Sequence, residues 1–262
     1  MGFDISYHPI REDEMEAWFF APMKALREGD DSLIRRVAEE RSKQQEKFFA
    51  EKYIDIMKTL ASWDPNQPTE KGLLYGMAVI SGFFTRYQYV RGTAYSFLLD
   101  RQPQMGEYCS SWRSFLPNWI PSPKHERLTE NYAAGVYMSP DQVKALLADY
   151  ERNEKVRQIL TDFFEGNLEV FLTALQDAER TGSGLMEAAE VIEVEPLDLN
   201  RTVCYSDLFL CDPKGAYIYQ DVAIAQIKEA TGMSEEEIAK KVQEGKFTSQ
   251  KTYVELDDTE QE

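Results

Sequence analysis

The sequence predicts an α+β fold, mainly helical, with a central buried helix at about residues 72–99 and a few short strands. Three observations carry that expectation. The stretch from Gly72 to Leu99 is the most apolar long run in the chain, with Arg86 and Arg91 as its only charges. Period-two alternation, the mark of a half-buried strand, occurs only in short pieces, at 2–8, 134–138, 190–195 and within 203–219. Two segments, Ser139-Pro140-Asp141-Gln142 and Ser234-Glu235-Glu236-Glu237, have the form of capping boxes that start helices.

A helix that is hydrophobic on every side is buried in a core or crosses a membrane, and crossing takes about 20 apolar residues. The uncharged part of the central run ends at Thr85 and contains Gly76 and Gly82. It therefore reads as a core helix, broken near Gly92. Its two interior glycines mark either the close approach of another helix or breaks in this one.

The remaining elements follow in order. Phe3, Ile5 and Tyr7 alternate with Asp4, Ser6 and His8, a strand that Pro9 should end. Gly2 and Ser6 also match the myristoylation pattern M-G-x-x-x-[ST], but the strand accounts for the same residues and no polybasic patch supplies a second anchor. A helix over 11–27 carries Glu12, Asp13, Glu14 and Glu16 at its start, where the macrodipole favours acids. Pro22 should kink it. A long charged helix spans 31–62, with a polar middle at 39–47 that projects into solvent or bridges to a partner. A loop over 63–68 leads to the central run.

Residues 103–124 are punctuated by four prolines and carry Trp112, Phe115 and Trp119. Helices are then expected over 140–152 and 154–180, the second interrupted at Gly166. The turn Asp212-Pro213-Lys214-Gly215 either joins a hairpin of 203–210 with 216–219 or leads straight into a helix over 217–231. A last helix runs from 234 to about 244, and the acidic end, 255–262, reads as loose. One compact domain is expected. A two-lobe version would divide near 122–130, where the composition turns from aromatic to acidic.

Hydrophobic content of 43% with 12% aromatics is that of a globular chain. The net charge of -17 is unevenly placed, with 12 basic and 27 acidic side chains in residues 136–262. Such acidity opposes binding to nucleic acid and to anionic membrane surfaces. It favours a basic protein partner. The three cysteines have no C-x-x-C spacing and Cys204 and Cys211 have no histidine near them, so neither metal nor cofactor is expected. Free thiols and an N-terminus without a secretory pattern point to the cytoplasm.

No phosphate-binding loop, H-E-x-x-H, G-x-S-x-G or EF-hand pattern occurs. A catalytic triad would have to use His8 or His125, the chain's two histidines. Two features invite a functional reading. A desolvated guanidinium needs an anionic partner, so Arg86 and Arg91 face either an internal carboxylate or the carboxylate or phosphate of a ligand. Residues 63–135 hold 13 of the 32 aromatics, and Trp112, Phe115 and Trp119 either line a ligand groove or plug the core. The leading expectation is a non-enzymatic cytoplasmic binding protein of immunity, antitoxin or inhibitor type. Its acidic half, through Glu187, Glu190, Glu193 and Glu195, would engage a basic protein. The alternative is a small-molecule enzyme or sensor whose anion pocket is lined by Arg86, Arg91, Trp112, Phe115 and Trp119.

Overall fold

The alternating N-terminal stretch forms strand β1, Asp4–Ile10, and every one of its residues is buried. The computed structural model describes residues 2–42, 47–64 and 72–245. Its class is the expected one, mainly helical α+β. After β1 come α1 (Glu12–Met15), a π turn (Glu16–Phe20) and α2 (Ala21–Arg27). Pro22 lies in the first turn of α2 just after the π turn, so the expected kink takes the form of a widened turn where a backbone N–H is missing. Helices α3 (Ser32–Ser42) and α4 (Lys47–Ala61) pack against each other. Residues 43–46, the middle of the polar stretch expected to project, lie outside the described residues, as do 65–71 of the loop region and the acidic 255–262.

The central run is buried, but it is not one helix. It forms α5 (Leu73–Ser81), a turn, strand β2 (Tyr87–Arg91) and α6 (Tyr95–Arg101). The misreading has a physical cause. Tyr87 to Val90 are all buried, and a strand covered on both faces shows a continuous apolar run rather than alternation. The aromatic and β-branched residues of Tyr87-Gln88-Tyr89-Val90 also favour a strand. Gly92, at φ +78, makes the turn that follows. Gly76 fulfils its expectation of close approach, since a Cβ there would collide with Leu60 of α4.

Strand β3 (Ala134–Met138) precedes α7 (Pro140–Arg152), which begins in the predicted capping box. Helices α8 (Glu154–Phe164) and α9 (Leu168–Thr181) are divided by a 3-10 turn at Glu165–Asn167, where the break at Gly166 was expected. The strand expected over 190–195 is displaced. Strand β4 occupies Gly184–Ala189, Glu190 turns the chain at φ 64, and the short β5 holds Ile192–Glu193. Over 203–219 no hairpin forms. Strand β6 (Val203–Cys204) pairs with β5, β7 (Cys211–Asp212) pairs with β2, and α10 (Lys214–Thr231) follows directly. The last helix, α11 (Glu235–Gln243), starts in its capping box.

The main sheet has the order β3-β4-β1-β2-β7. β1 is central and antiparallel to both neighbours, with Ile5 opposite Val90 on one side and Ala189 on the other. It does not end at Pro9, which pairs with Leu185 of β4. By that point β2 has ended, so the missing N–H of Pro9 interrupts no ladder on that side. The sheet takes strands from both sides of 122–130. One face packs on α2, α4 and α5 through Ile10, Tyr137, Met186 and Ala188. The other packs on α6 to α9 through Ile5, Tyr7, Val90 and Leu185. None of the helices among the described residues is long and apolar enough to cross a membrane.

Candidate functional site

The residues singled out by sequence fall in three places. Arg86 is not desolvated. Its side chain is 60% exposed and donates to Asp212 at 2.5 Å. Arg91 is the enclosed one, bound to Asp4 at 2.7 Å and lying over the Tyr219 ring. Both guanidiniums are thus held by carboxylates of the chain, Arg86 by one from the acidic half and Arg91 by one from β1. Trp112 and Phe115 do not line a groove. They are core residues, with the Trp112 indole donating to the Gly135 carbonyl at 2.9 Å and stacking on Tyr137. Trp119 is half-buried beneath the Arg27 guanidinium. The Pro-rich segment is the plug, not the groove, because each ring gains more by leaving water than by lining a cleft. A groove of about 580 Å³ does lie between α6 and α8, floored by Leu98, Ile159 and Phe163 and rimmed by Arg101, Lys155 and Asp162. None of the predicted site residues lines it.

The glutamates require the largest correction. Glu187, Glu190 and Glu193 are buried, and only Glu195 reaches the half-buried class. They cannot form a docking face. Alternation in EVIEVE predicts a strand, but Glu190 turns the chain beyond β4 and Glu193 lies under the hydroxyls of Tyr132 and Tyr205. Glu187 accepts from the hydroxyl of Tyr7 at 3.3 Å, from the Ser96 hydroxyl, and from the amides of Ser96 and Val136. Gly135 opposite has no side chain because a Cβ there would strike the carboxylate. Burial nevertheless raises the pKa of Glu187, against those hydrogen bonds.

Glu190 belongs to a second cluster. Asp4 accepts from the Tyr89 hydroxyl at 2.6 Å as well as from Arg91, and its amide donates to Glu190 at 3.3 Å. Asn131 donates to Glu190 at 2.9 Å. Glu193 accepts from the hydroxyls of Tyr132 and Tyr205 at 3.0 and 3.2 Å. Burial, then the Asp4 charge, raises the pKa of Glu190 to about 7. Two non-glycine residues here have left-handed backbones, Tyr132 at φ 56 and Glu190 at φ 64, which costs of order 1–3 kcal/mol each. Among the described residues no group of histidine, cysteine or carboxylate side chains is arranged to hold a metal.

His8 shares a face of β1 with Asp4 and Ser6, opposite to that of Tyr7, and is stacked on Tyr87. His8 Nδ1 lies 3.1 Å from the Ser81 hydroxyl, which also meets the Ala78 carbonyl at 3.0 Å. Nε2 is hydrogen-bonded to the Ser6 hydroxyl at 2.8 Å. Burial lowers the pKa of His8 to about 3. A base that weak and that enclosed takes no proton from a substrate near neutrality. The thiols are equally quiet, with burial pushing Cys109 up to about 12 and raising Cys204 and Cys211.

What sequence reasoning missed is the segment between β6 and β7. It reads there as a strand core, yet Phe209 is 90% exposed. Among the described residues, six of the seven exposed large apolar side chains lie between 203 and 222: Val203, Tyr205, Leu208, Phe209, Tyr217 and Val222. Natural surfaces rarely gather such residues without a partner. The signal in the sequence was Asp207, an N-cap residue two positions before Phe209. No family model, no curated protein and no solved structure matches this chain.

Proposed function

We propose that this protein is a non-enzymatic binding protein for a basic protein partner, in the manner of an immunity, antitoxin or inhibitor protein. The observation that carries the reading is the outer side of α7 to α9. Glu151, Glu154, Asp162, Glu165, Glu169 and Glu179 are all exposed there, taking over the role expected of the buried Glu187, Glu190 and Glu193. On the same helices Arg157 and Arg180 are paired with Glu154 and Asp177, and Lys144, Arg152 and Lys155 are exposed, so that nine acidic side chains stand against five basic ones over residues 140–181. A field of this sign steers cationic surfaces and repels nucleic acid. The quiet histidine and thiols support a role in binding rather than in nucleophilic or general-base catalysis.

The test is affinity capture on the full chain in a lysate of its source organism, followed by kinetics with the purified partner. A basic protein is expected, associating at least tenfold more slowly at 150 mM than at about 15 mM salt, as the screening length shortens from roughly 25 to 8 Å. Glu151→Lys with Asp162→Lys should slow it further without lowering the melting temperature. An acidic partner, or an association rate indifferent to salt, overturns the reading.

A further inference from the structure

We infer that the turn Leu208–Leu210 is the anchor of that interaction, with Phe209 entering an apolar cleft of the basic partner. The inference rests on the proposed function and adds the point of contact. Phe209 is not exposed because the chain frays. The Asp207 carboxylate accepts from the Phe209 amide at 2.9 Å, and Leu210 donates back to the Asp207 carbonyl at 3.2 Å. The same carbonyl takes the Tyr87 hydroxyl at 3.2 Å. Ser206 donates to Val79 of α5 at 2.7 Å, and Lys52 of α4 donates to the Cys204 carbonyl at 2.9 Å. Ser206 and Asp207 are buried while Phe209, next but one, is 90% exposed. The body therefore grips the turn from β2, α4 and α5 and presents the ring outward. A turn whose backbone is fixed before binding loses little main-chain freedom on docking, and buried aromatic anchors dominate binding energy where they occur.

Beneath the turn lies an unusual cost. Asp207 is wholly buried, and its Oδ2 has no hydrogen-bond partner. The Arg41 guanidinium stands 3.9 Å away, with its Nη2 and Nε also without one. A buried carboxylate so poorly compensated is a liability to folding. It is explained by the amide it holds, because that bond sets the direction of Phe209.

The occupant is argued from charge. A second copy would bring another net charge of -17 to the contact. Of the cations near the patch, Arg86 is engaged by Asp212, Lys214 by Glu169 and Lys228 by Glu235, and Arg201 is exposed. Asp221, one turn after Tyr217 on the exposed side of α10, and Glu229 remain in solvent. An apolar knob beside carboxylates fits a cleft with a basic rim.

The experiment uses the full chain and the basic partner isolated as above, comparing the parent with Phe209→Ala and Phe209→Asp. Both variants should keep the parent melting temperature, since the ring makes little contact with its own fold. The dissociation constant should rise at least 30-fold for Phe209→Ala, through faster dissociation, with the salt dependence of association unchanged. A basic partner that binds Phe209→Ala as tightly as the parent overturns this inference and leaves the proposed function standing. If no basic partner binds, both fall. Sedimentation of the parent alone should show a monomer. A dimer abolished by Phe209→Ala would assign the patch to a second copy instead, and would also overturn the inference.

Discussion

At the scale of single residues, protons are held by groups whose burial opposes their charge, and the signs differ. His8, with its pKa lowered to about 3 from an unfolded value near 6.5, contributes stability that is complete above pH 6.5. That contribution is lost as pH falls toward 3, at about 1.4 kcal/mol per unit. Glu190, raised to about 7 from 4.5, contributes most below pH 4.5 and loses that contribution as pH rises through 7. Over pH 4.5–6.5 the two slopes oppose each other, so the parent should be less sensitive to pH than either group alone implies. Replacing His8→Gln removes one slope. In urea titrations the variant should lose its deficit relative to the parent by about 1.4 kcal/mol for each unit of acidification below pH 6. A difference that stays constant with pH would mean that His8 does not titrate as its burial demands. Glu187 offers a steric test of the same kind. Gly135→Ala pushes a methyl into its carboxylate and should cost about 1–3 kcal/mol, measured by chemical denaturation.

Between elements, the two arginines of the central run separate cleanly. Arg86→Met removes an exposed pair with Asp212 and should cost under about 1 kcal/mol. Arg91→Met strands Asp4, which is 1% exposed between β1 and β2, and should cost roughly 3–5 kcal/mol. Equal losses in thermal or urea unfolding would contradict the assignment of Arg91 as the partner of a buried carboxylate. In α5, Leu74→Ala should cost roughly 2–5 kcal/mol by opening a cavity. Sequence rendered these elements unequally, for reasons that residues make plain. Local signals survived: the capping boxes at Ser139 and Ser234, the break at Gly166, the burial of residues 72–99. What failed depended on distant partners. Tyr87 to Val90 became a strand because β1 was there to pair with it. Glu187 and Glu193 turned inward to the hydroxyls of Tyr7, Tyr132 and Tyr205, Glu190 to Asn131 and the Asp4 amide, and Trp112 closed on Gly135 rather than opening to a ligand. Neither the candidate contact at Phe209 nor its exposure has a local signature beyond the N-cap aspartate.

At the scale of the whole molecule, the -15 carried by residues 136–262 is less of a surface than its formal value suggests. Between 187 and 212 lie seven acidic residues against one arginine, and four of the seven, Glu187, Glu190, Glu193 and Asp207, are buried. Electrophoretic mobility near neutrality should therefore correspond to fewer than 17 negative charges, with Glu190 half-protonated near pH 7; mobility equal to the full formal charge would place that cluster in water. The position of β1 has a further bearing, on synthesis. Ser6 and the Ala188 carbonyl it meets are 182 residues apart in sequence. A ribosome adding about 5–20 residues per second needs roughly 10–35 s to deliver β4 after β1 has emerged. During that interval one side of the sheet's middle strand is an open edge carrying Ile5 and Tyr7, the kind of edge that recruits other strands. A chain halted before Gly184 keeps that edge permanently. Released fragments ending there should aggregate or be degraded, so interrupted translation of this protein yields waste rather than a smaller working version.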